Sequence, residues 1–120
     1  MEGGVDIAKI SRFEKDAESQ LFLNKFFTKS EIEYIQKKIK KTETLAGMFC
    51  AKEAVLKAFG VGLSGGIALK DISILHGDLG NPYIEITPKI NYYLMQKNAQ
   101  SISVSVSHDG DYAIGFCVIN

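Results

Sequence analysis

The stretch LAGMFCAKEAVLKAFG (45–60) carries only three charges, Lys52, Glu53 and Lys57, in a run otherwise composed like a protein interior. On a wheel of about 100° per residue, Leu45, Met48, Phe49, Ala51, Ala54, Val55, Leu56, Ala58 and Phe59 cover most of the circumference. A helix so apolar is expected to be buried nearly all round. Gly60 then suits its C-terminal cap. Glu53 and Lys57 share one narrow stripe with small Ala46 between them in angle, whereas Lys52 projects into the apolar arc. Two readings of the stripe stay open. One is an i,i+4 ion pair on a wet line, contributing about 0.3–0.5 kcal/mol. The other is a carboxylate and an ammonium aimed into a cleft, where a hard cation bridges the acid to a phosphate.

Outward from this helix the chain punctuates itself. Upstream, GGVDI (3–7) reads as a short strand stopping at Asp6, and the segment from about Ser11 to Phe27 as a helix. Ser30 with Glu33 matches a capping box ahead of Ile32, Ile35 and Ile39 at helical spacing. Lys37, Lys38, Lys40 and Lys41 crowd the end of that helix, either complementing its dipole or forming a patch for a phosphate. Downstream, GVGLSGG (60–66) is a glycine-rich turn without the Lys-Ser/Thr of a P-loop. KDISIL (70–75) and PYIEI (82–86) read as a hairpin around HGDLGN. Thr87 and Pro88 open a short helix with Ile90, Tyr93, Leu94 and Met95 turned inward. In SISVSVSH (101–108), Ile102, Val104, Val106 and His108 alternate with four serines. Asp109-Gly110 turns the chain into the partner strand YAIGFCVI. Helices set among mostly antiparallel strands predict an α+β fold in one domain over 1–120.

Fourteen basic and fourteen acidic residues cancel, so net charge points to neither nucleic acid nor an anionic membrane. Arg12 is the single arginine, a planar fork of donors in a lysine-rich chain. Cys50 and Cys117 lie in apolar runs and read as reduced core residues. With no signal-like N-terminus and no membrane-length apolar run, a cytoplasmic protein is expected. Asp6 ends an apolar strand, as a turn aspartate or as a second carboxylate. Asp6 and Glu53 together make a minimal Mg²⁺ site when phosphate and water fill the other positions. His108 closes its strand on the apolar face, as a satisfied core histidine or a ligand contact.

Three stretches in this order, GVDIAKISRF (4–13), LAGMFCAKEAVLKAFGVGL (45–63) and SVSVSHDGDYA (103–113), resemble the small bacterial holo-acyl-carrier-protein synthases of the phosphopantetheinyl transferase superfamily. KDISILHGDLGNPYIEI between them fits the same family, and the resemblance spans nearly the whole chain. It implies transfer of the phosphopantetheine arm of coenzyme A to a serine of apo-acyl carrier protein, leaving adenosine 3′,5′-bisphosphate. Asp6 and Glu53 would hold Mg²⁺, and Lys57 would neutralise charge on the bridging phosphate. Lys40, Lys41, Lys57, Gly60 and His108 would surround the coenzyme, with the lysine pair at its 3′-phosphate. Arg12 would meet the acidic carrier protein. The resemblance also implies a ring of three subunits with coenzyme clefts between neighbours, His108 ending a strand face that meets another subunit. Lys52 is left without a role beyond covering apolar surface with its stem, its ammonium reaching water or ligand.

The chain departs from the family pattern in three places. The first strand is short, Met48 stands where relatives often carry Arg, and FEKDAESQLFLNKFF (13–27) is acid-rich where relatives are commonly basic. Two other readings compete: a non-catalytic oligomeric module binding a nucleotide-like anion, and a metal-dependent phosphohydrolase.

Overall fold

The computed structural model describes residues 1–60 and 66–120; most of the glycine-rich turn lies outside the described residues. Its spine is α3 (Lys41–Phe59), which ends at Gly60 in a left-handed cap, φ 71°. The strands β1 (Glu2–Lys9), β4 (Ile102–Asp109) and β5 (Tyr112–Ile119) form an antiparallel sheet in the order β1-β5-β4. The helix lies so close on this sheet that Gly115 of β5 sits against the Cys50 and Ala51 backbone. Gly4 of β1 sits likewise against Ala54 and Ala58, leaving no room for a Cβ at either position. Gly47 meets Val106 and His108 of β4, so α3 crosses the sheet diagonally, from β4 at its start to β1 at its end. The helix's other side is covered by α1 (Gln20–Phe26) and α2 (Lys29–Gln36), with Leu23, Phe27, Ile32 and Ile35 buried. This is the all-round burial expected from the wheel.

A second antiparallel pair, β2 (Ile74–His76) with β3 (Pro82–Ile84), makes the expected hairpin with shorter strands than read, since Leu69–Asp71 forms a 3-10 turn and pairing ends at Ile84. It leads to α4 (Pro88–Gln96), capped by Thr87, whose hydroxyl accepts from Ile90 N at 3.1 Å. Ile90 and Leu94 are buried there, whereas Met95, expected inside, is exposed. The α+β class and the antiparallel pairing are as read from the sequence.

Several expectations are corrected. Residues 11–27 are not one helix but two 3-10 turns followed by α1, which Ser19 restarts by accepting from Phe22 N at 3.1 Å. The box that caps α2 is Thr28 with Glu31, not Ser30 with Glu33. Because α2 stops at Gln36 and α3 begins at Lys41, Lys40 and Lys41 stand at the positive end of a helix, where they cannot complement its dipole. Ile39 lies between the helices, fully exposed. Strand β1 runs three residues past Asp6. The tail turn is Gly110-Asp111, since Asp109 still pairs with Tyr112 and Gly110 takes the positive φ of 57°.

Candidate functional site

Asp6 alternates with Gly4 and Ala8 and therefore shares their face of β1, toward α3. Lys57, in the last turn of α3, reaches it: Nζ donates to Asp6 Oδ1 at 3.0 Å and to the Val5 carbonyl at 2.9 Å. The sequence offered Glu53 as the partner of Lys57, but the ion pair joins Lys57 to a residue 51 positions away. Both side chains of the pair are partly exposed, so its net contribution to stability is below about 1 kcal/mol. Glu53 lies one turn up the helix, half-buried. Its carboxyl is held above its usual range, first by burial and then by the Asp6 carboxylate, against the pull of Lys57 and Arg12. Two acids from separate elements thus repel one another at one place, with two cations beside them.

Cys50 borders this cluster. Burial, then Asp6, pushes its thiol up to about 12, and its Sγ donates to the Ala113 carbonyl at 3.6 Å. Arg12 completes the neighbourhood, its guanidinium 4.6 Å from the Phe13 ring centroid and 5.7 Å from that of Phe49. Its turn is clamped by Asp111, which accepts from Ser11 N at 2.9 Å and Ser11 Oγ at 2.6 Å.

His108 is elsewhere. It sits beside the start of α3, Nε2 3.2 Å from the Glu43 carbonyl oxygen. Asp6 pairs with Gly115 and His108 with Ala113, so two strand spacings and two residues of rise separate them, about 12 Å. The face carrying Val106 and His108 packs on the start of α3, with His108 itself exposed at its end, and the opposite face of the sheet is open. His108, Thr44, Met48, Pro82 and Val106 line a cavity of about 220 Å³. Lys40 and Lys41 line a different opening, with Ile10, Glu18 and Glu43. Gly60 lies one turn beyond Lys57, its N–H bonded to the Lys57 carbonyl at 3.0 Å. Within one chain, then, Asp6, Glu53, Lys57 and Arg12 converge, while His108 and the lysine pair stand apart from them.

Lys52 has a role that sequence reading missed. It is fully buried, and its ammonium donates to Glu31 Oε1 at 2.6 Å and to the Phe26 carbonyl at 2.7 Å, 4.6 Å from the centroid of the Phe27 ring. Glu31 also accepts from Thr28 N at 2.8 Å and Ile74 N at 2.9 Å. Burial lowers the Lys52 pKa and Glu31 opposes that shift. The signal that could have found Glu31 is the hydrophobic staple: Phe27 precedes Thr28 and Ile32 follows four residues later, whereas Ser30 has Lys29 and Tyr34 in those places.

A sequence model of the 4′-phosphopantetheinyl transferase superfamily matches residues 3–117. The chain belongs to that superfamily. Among its relatives, a holo-[acyl-carrier-protein] synthase of Fusobacterium nucleatum is 42% identical over 117 residues, covering 97% of this chain and 95% of the relative. A crystal structure of holo-[acyl-carrier-protein] synthase from Neisseria meningitidis superposes with a TM-score of 0.87 at 29% identity, covering 99% of this chain and 97% of that one. The Helicobacter pylori synthase, solved in complex with coenzyme A, gives 0.84 at 33% identity over 98% and 99%. The transferase superfamily's α+β fold is therefore shared across the full described length.

Proposed function

We propose that this chain is a holo-[acyl-carrier-protein] synthase, one domain over 1–120, that moves phosphopantetheine from coenzyme A to a serine of apo-acyl carrier protein. The observation that carries the reading is the convergence of Asp6, Glu53 and Lys57 from β1 and α3, in a chain whose relatives bear that name. The serine hydroxyl gives up its proton to a water or carboxylate in the site as its oxygen bonds to the β-phosphorus. The bond from that phosphorus to the bridging oxygen breaks, and adenosine 3′,5′-bisphosphate leaves with the electron pair. Lys57, held by the Val5 carbonyl and Asp6, presents an ammonium where negative charge grows on the leaving oxygen.

The donor set fits a hard divalent cation. Asp6 and Glu53 are crowded carboxylates, hard oxygen donors whose repulsion such an ion relieves. Among the described residues no third His, Cys, Asp or Glu joins them, which suits an ion that keeps water and substrate oxygens. Asp6 and Glu53 would hold Mg²⁺, which supplies charge neutralisation of the pyrophosphate when bound.

The separation of His108 from the Asp6–Glu53 pair supports a shared cleft in a homotrimer, one subunit lending His108 to its neighbour's carboxylates. The open sheet face supports the same assembly: Val5, Ile7, Ile114 and Phe116 pair across β1 and β5 and are all substantially exposed. Lys40 and Lys41, at the open first turn of α3, suit the coenzyme's 3′-phosphate. Gly60 would let the coenzyme approach the backbone at the other end of α3. Arg12 suits an acidic carrier face. Two buried unpaired thiols suit the reducing cytoplasm; among the described residues no helix is long and apolar enough to cross a membrane.

Incubation with coenzyme A, Mg²⁺ and apo-acyl carrier protein tests the reading by mass spectrometry of the carrier. A gain of one phosphopantetheine supports it. Coenzyme binding without carrier modification selects the anion-binding module, and release of pantetheine phosphate without a carrier selects the hydrolase.

A further inference from the structure

One residue of the β4–β5 turn holds a segment 100 positions away. The Asp111 carbonyl accepts from Ile10 N at 2.7 Å, which extends the β1–β5 ladder one step past its Lys9–Tyr112 pair. The Asp111 carboxylate accepts twice from Ser11, so both of its oxygens face the 3-10 turn Ile10–Phe13. The first N–H groups of such a turn need an acceptor, and a side chain at the N-cap commonly supplies it. Lys9 holds that position and makes no such bond, so Asp111 caps the turn from across the sheet. The Ser11 hydroxyl, then its N–H, holds the Asp111 carboxyl below its usual range, which keeps it an ionised acceptor at neutral pH.

Arg12 follows the clamped residue at once, and buried Phe13 follows Arg12, so the arginine backbone is fixed on both sides. Its side chain is exposed and lies over the Phe13 and Phe49 rings, which support the guanidinium without using its hydrogen bonds. Among the described residues no acid lies within ion-pair distance of it. Its charge nonetheless reaches Glu53 and Cys50, which puts it at the edge of the Asp6–Glu53–Lys57 cluster. A fork of donors that is aimed, exposed and unpaired beside the reacting groups suits a planar acid on an incoming partner.

We infer that Asp111 is a positioning residue for the carrier protein: by capping the Ile10–Phe13 turn it aims the Arg12 fork at an acidic side chain of the carrier as the carrier serine approaches Lys57. This rests on the reading of Arg12 as the carrier contact given above. Asp111 is exposed and its bonds are open to water, so removing it leaves the fold in place and disorders one side chain. An arginine that is free to swing must be fixed at each encounter, and the cost of fixing it is taken from affinity. Asp111→Asn separates this role from charge alone, because its amide still accepts from Ser11 N and can donate to Ser11 Oγ while carrying no charge.

Steady-state kinetics with apo-acyl carrier protein, coenzyme A and Mg²⁺ tests the inference. Arg12→Ala is expected to raise KM for the carrier about thirtyfold. Asp111→Ala is expected to raise it at least about fivefold, with kcat and KM for coenzyme A within about twofold of wild type. Asp111→Asn is expected to keep the wild-type carrier KM. In an Arg12→Ala background Asp111→Ala is expected to add nothing, since it acts through that side chain. Because Arg12 is the single arginine, its Nε–H resonance gives a second readout that needs no carrier: its heteronuclear NOE should fall in Asp111→Ala and hold in Asp111→Asn. An unchanged carrier KM in Asp111→Ala, an equal rise in Asp111→Asn, a further loss in the Arg12→Ala background, or one NOE value in all three proteins overturns the inference while leaving the transferase reading intact. A wild-type carrier KM in Arg12→Ala overturns the Arg12 contact and the inference with it. A wild type that transfers nothing to the carrier overturns the transferase reading as well.

Discussion

Replacing Lys52 with Met removes one half of a charge pair that water does not reach. The Nζ loses hydrogen bonds of 2.6 Å to Glu31 and 2.7 Å to the Phe26 carbonyl, and both charged side chains are fully buried. Glu31 keeps Thr28 N and Ile74 N but has no counter-charge. Breaking a buried pair from one side costs about 3–5 kcal/mol, because an uncompensated charge stays behind. A chain of this length has a total stability of about 6–18 kcal/mol, so the loss is a large fraction of it. With a urea m-value of about 2 kcal/mol/M, the midpoint should fall by about 1.5–2.5 M at unchanged m. Circular dichroism at fixed protomer concentration reads this shift directly. Glu31→Gln should cost a comparable amount, leaving a buried ammonium. The double variant Lys52→Met/Glu31→Gln should be less destabilised than Lys52→Met alone, since the remaining carboxamide is neutral and still serves one backbone N–H. A midpoint shift under about 0.5 M for Lys52→Met, or losses that simply add in the double variant, would refute the reasoning.

Asp6→Asn and Glu53→Gln should each lower transfer at least about a hundredfold; with chelator present Glu53→Gln should not lower the thermal midpoint, because it removes a carboxylate that burial and Asp6 disfavour, and Asp6→Asn should cost no more than its exposed ion pair with Lys57, below about 1 kcal/mol; a large thermal loss in either contradicts this. His76 has a folded pKa below its ordinary 6.5, so the unfolded chain binds the extra proton first. Stability should therefore fall as pH drops below about 6.5 toward the folded pKa, and His76→Phe should flatten that segment of the urea-midpoint profile. Phe116→Lys, on the open sheet face, should shift sedimentation from trimer to monomer at micromolar concentration without loss of helix; an unchanged trimer removes that face as the interface.

The parts of the molecule legible in the sequence are those whose periodicity is forced by burial. Helix α3 announces itself because nearly every side chain is apolar, and the β4–β5 pair because Ile102 to His108 alternates without a break. The Asp6–Glu53–Lys57 cluster was reached through motif resemblance, not spacing: composition left Glu53–Lys57 as an equally good local ion pair. What stayed hidden depends on neighbours distant in the chain. Lys52 and Glu31 are 21 residues apart, and nothing on a helical wheel tells a buried lysine with a partner from one that snorkels. Tyr34 and His76 meet only because α2 docks beside β2. Residues 11–27 misled because their apolar residues are frequent enough for a helix, while Ser19 sits among them as a stronger start signal than the pattern around it. The strand expected to stop at Asp6 runs three residues further, to Lys9, because a carboxylate in mid-strand is rare unless something holds it, here Lys57.

The account depends most on two carboxylates, from β1 and α3, gripping one cation that in turn holds a pyrophosphate. Crystals grown with coenzyme A and Mn²⁺, measured at the manganese absorption edge, locate that ion directly. The expected map has one anomalous peak within bonding distance of Asp6 and Glu53 oxygens and of both phosphates, with His108 of a neighbouring subunit beside the coenzyme. A peak bound by neither carboxylate, or a coenzyme lying away from Lys57, would contradict it.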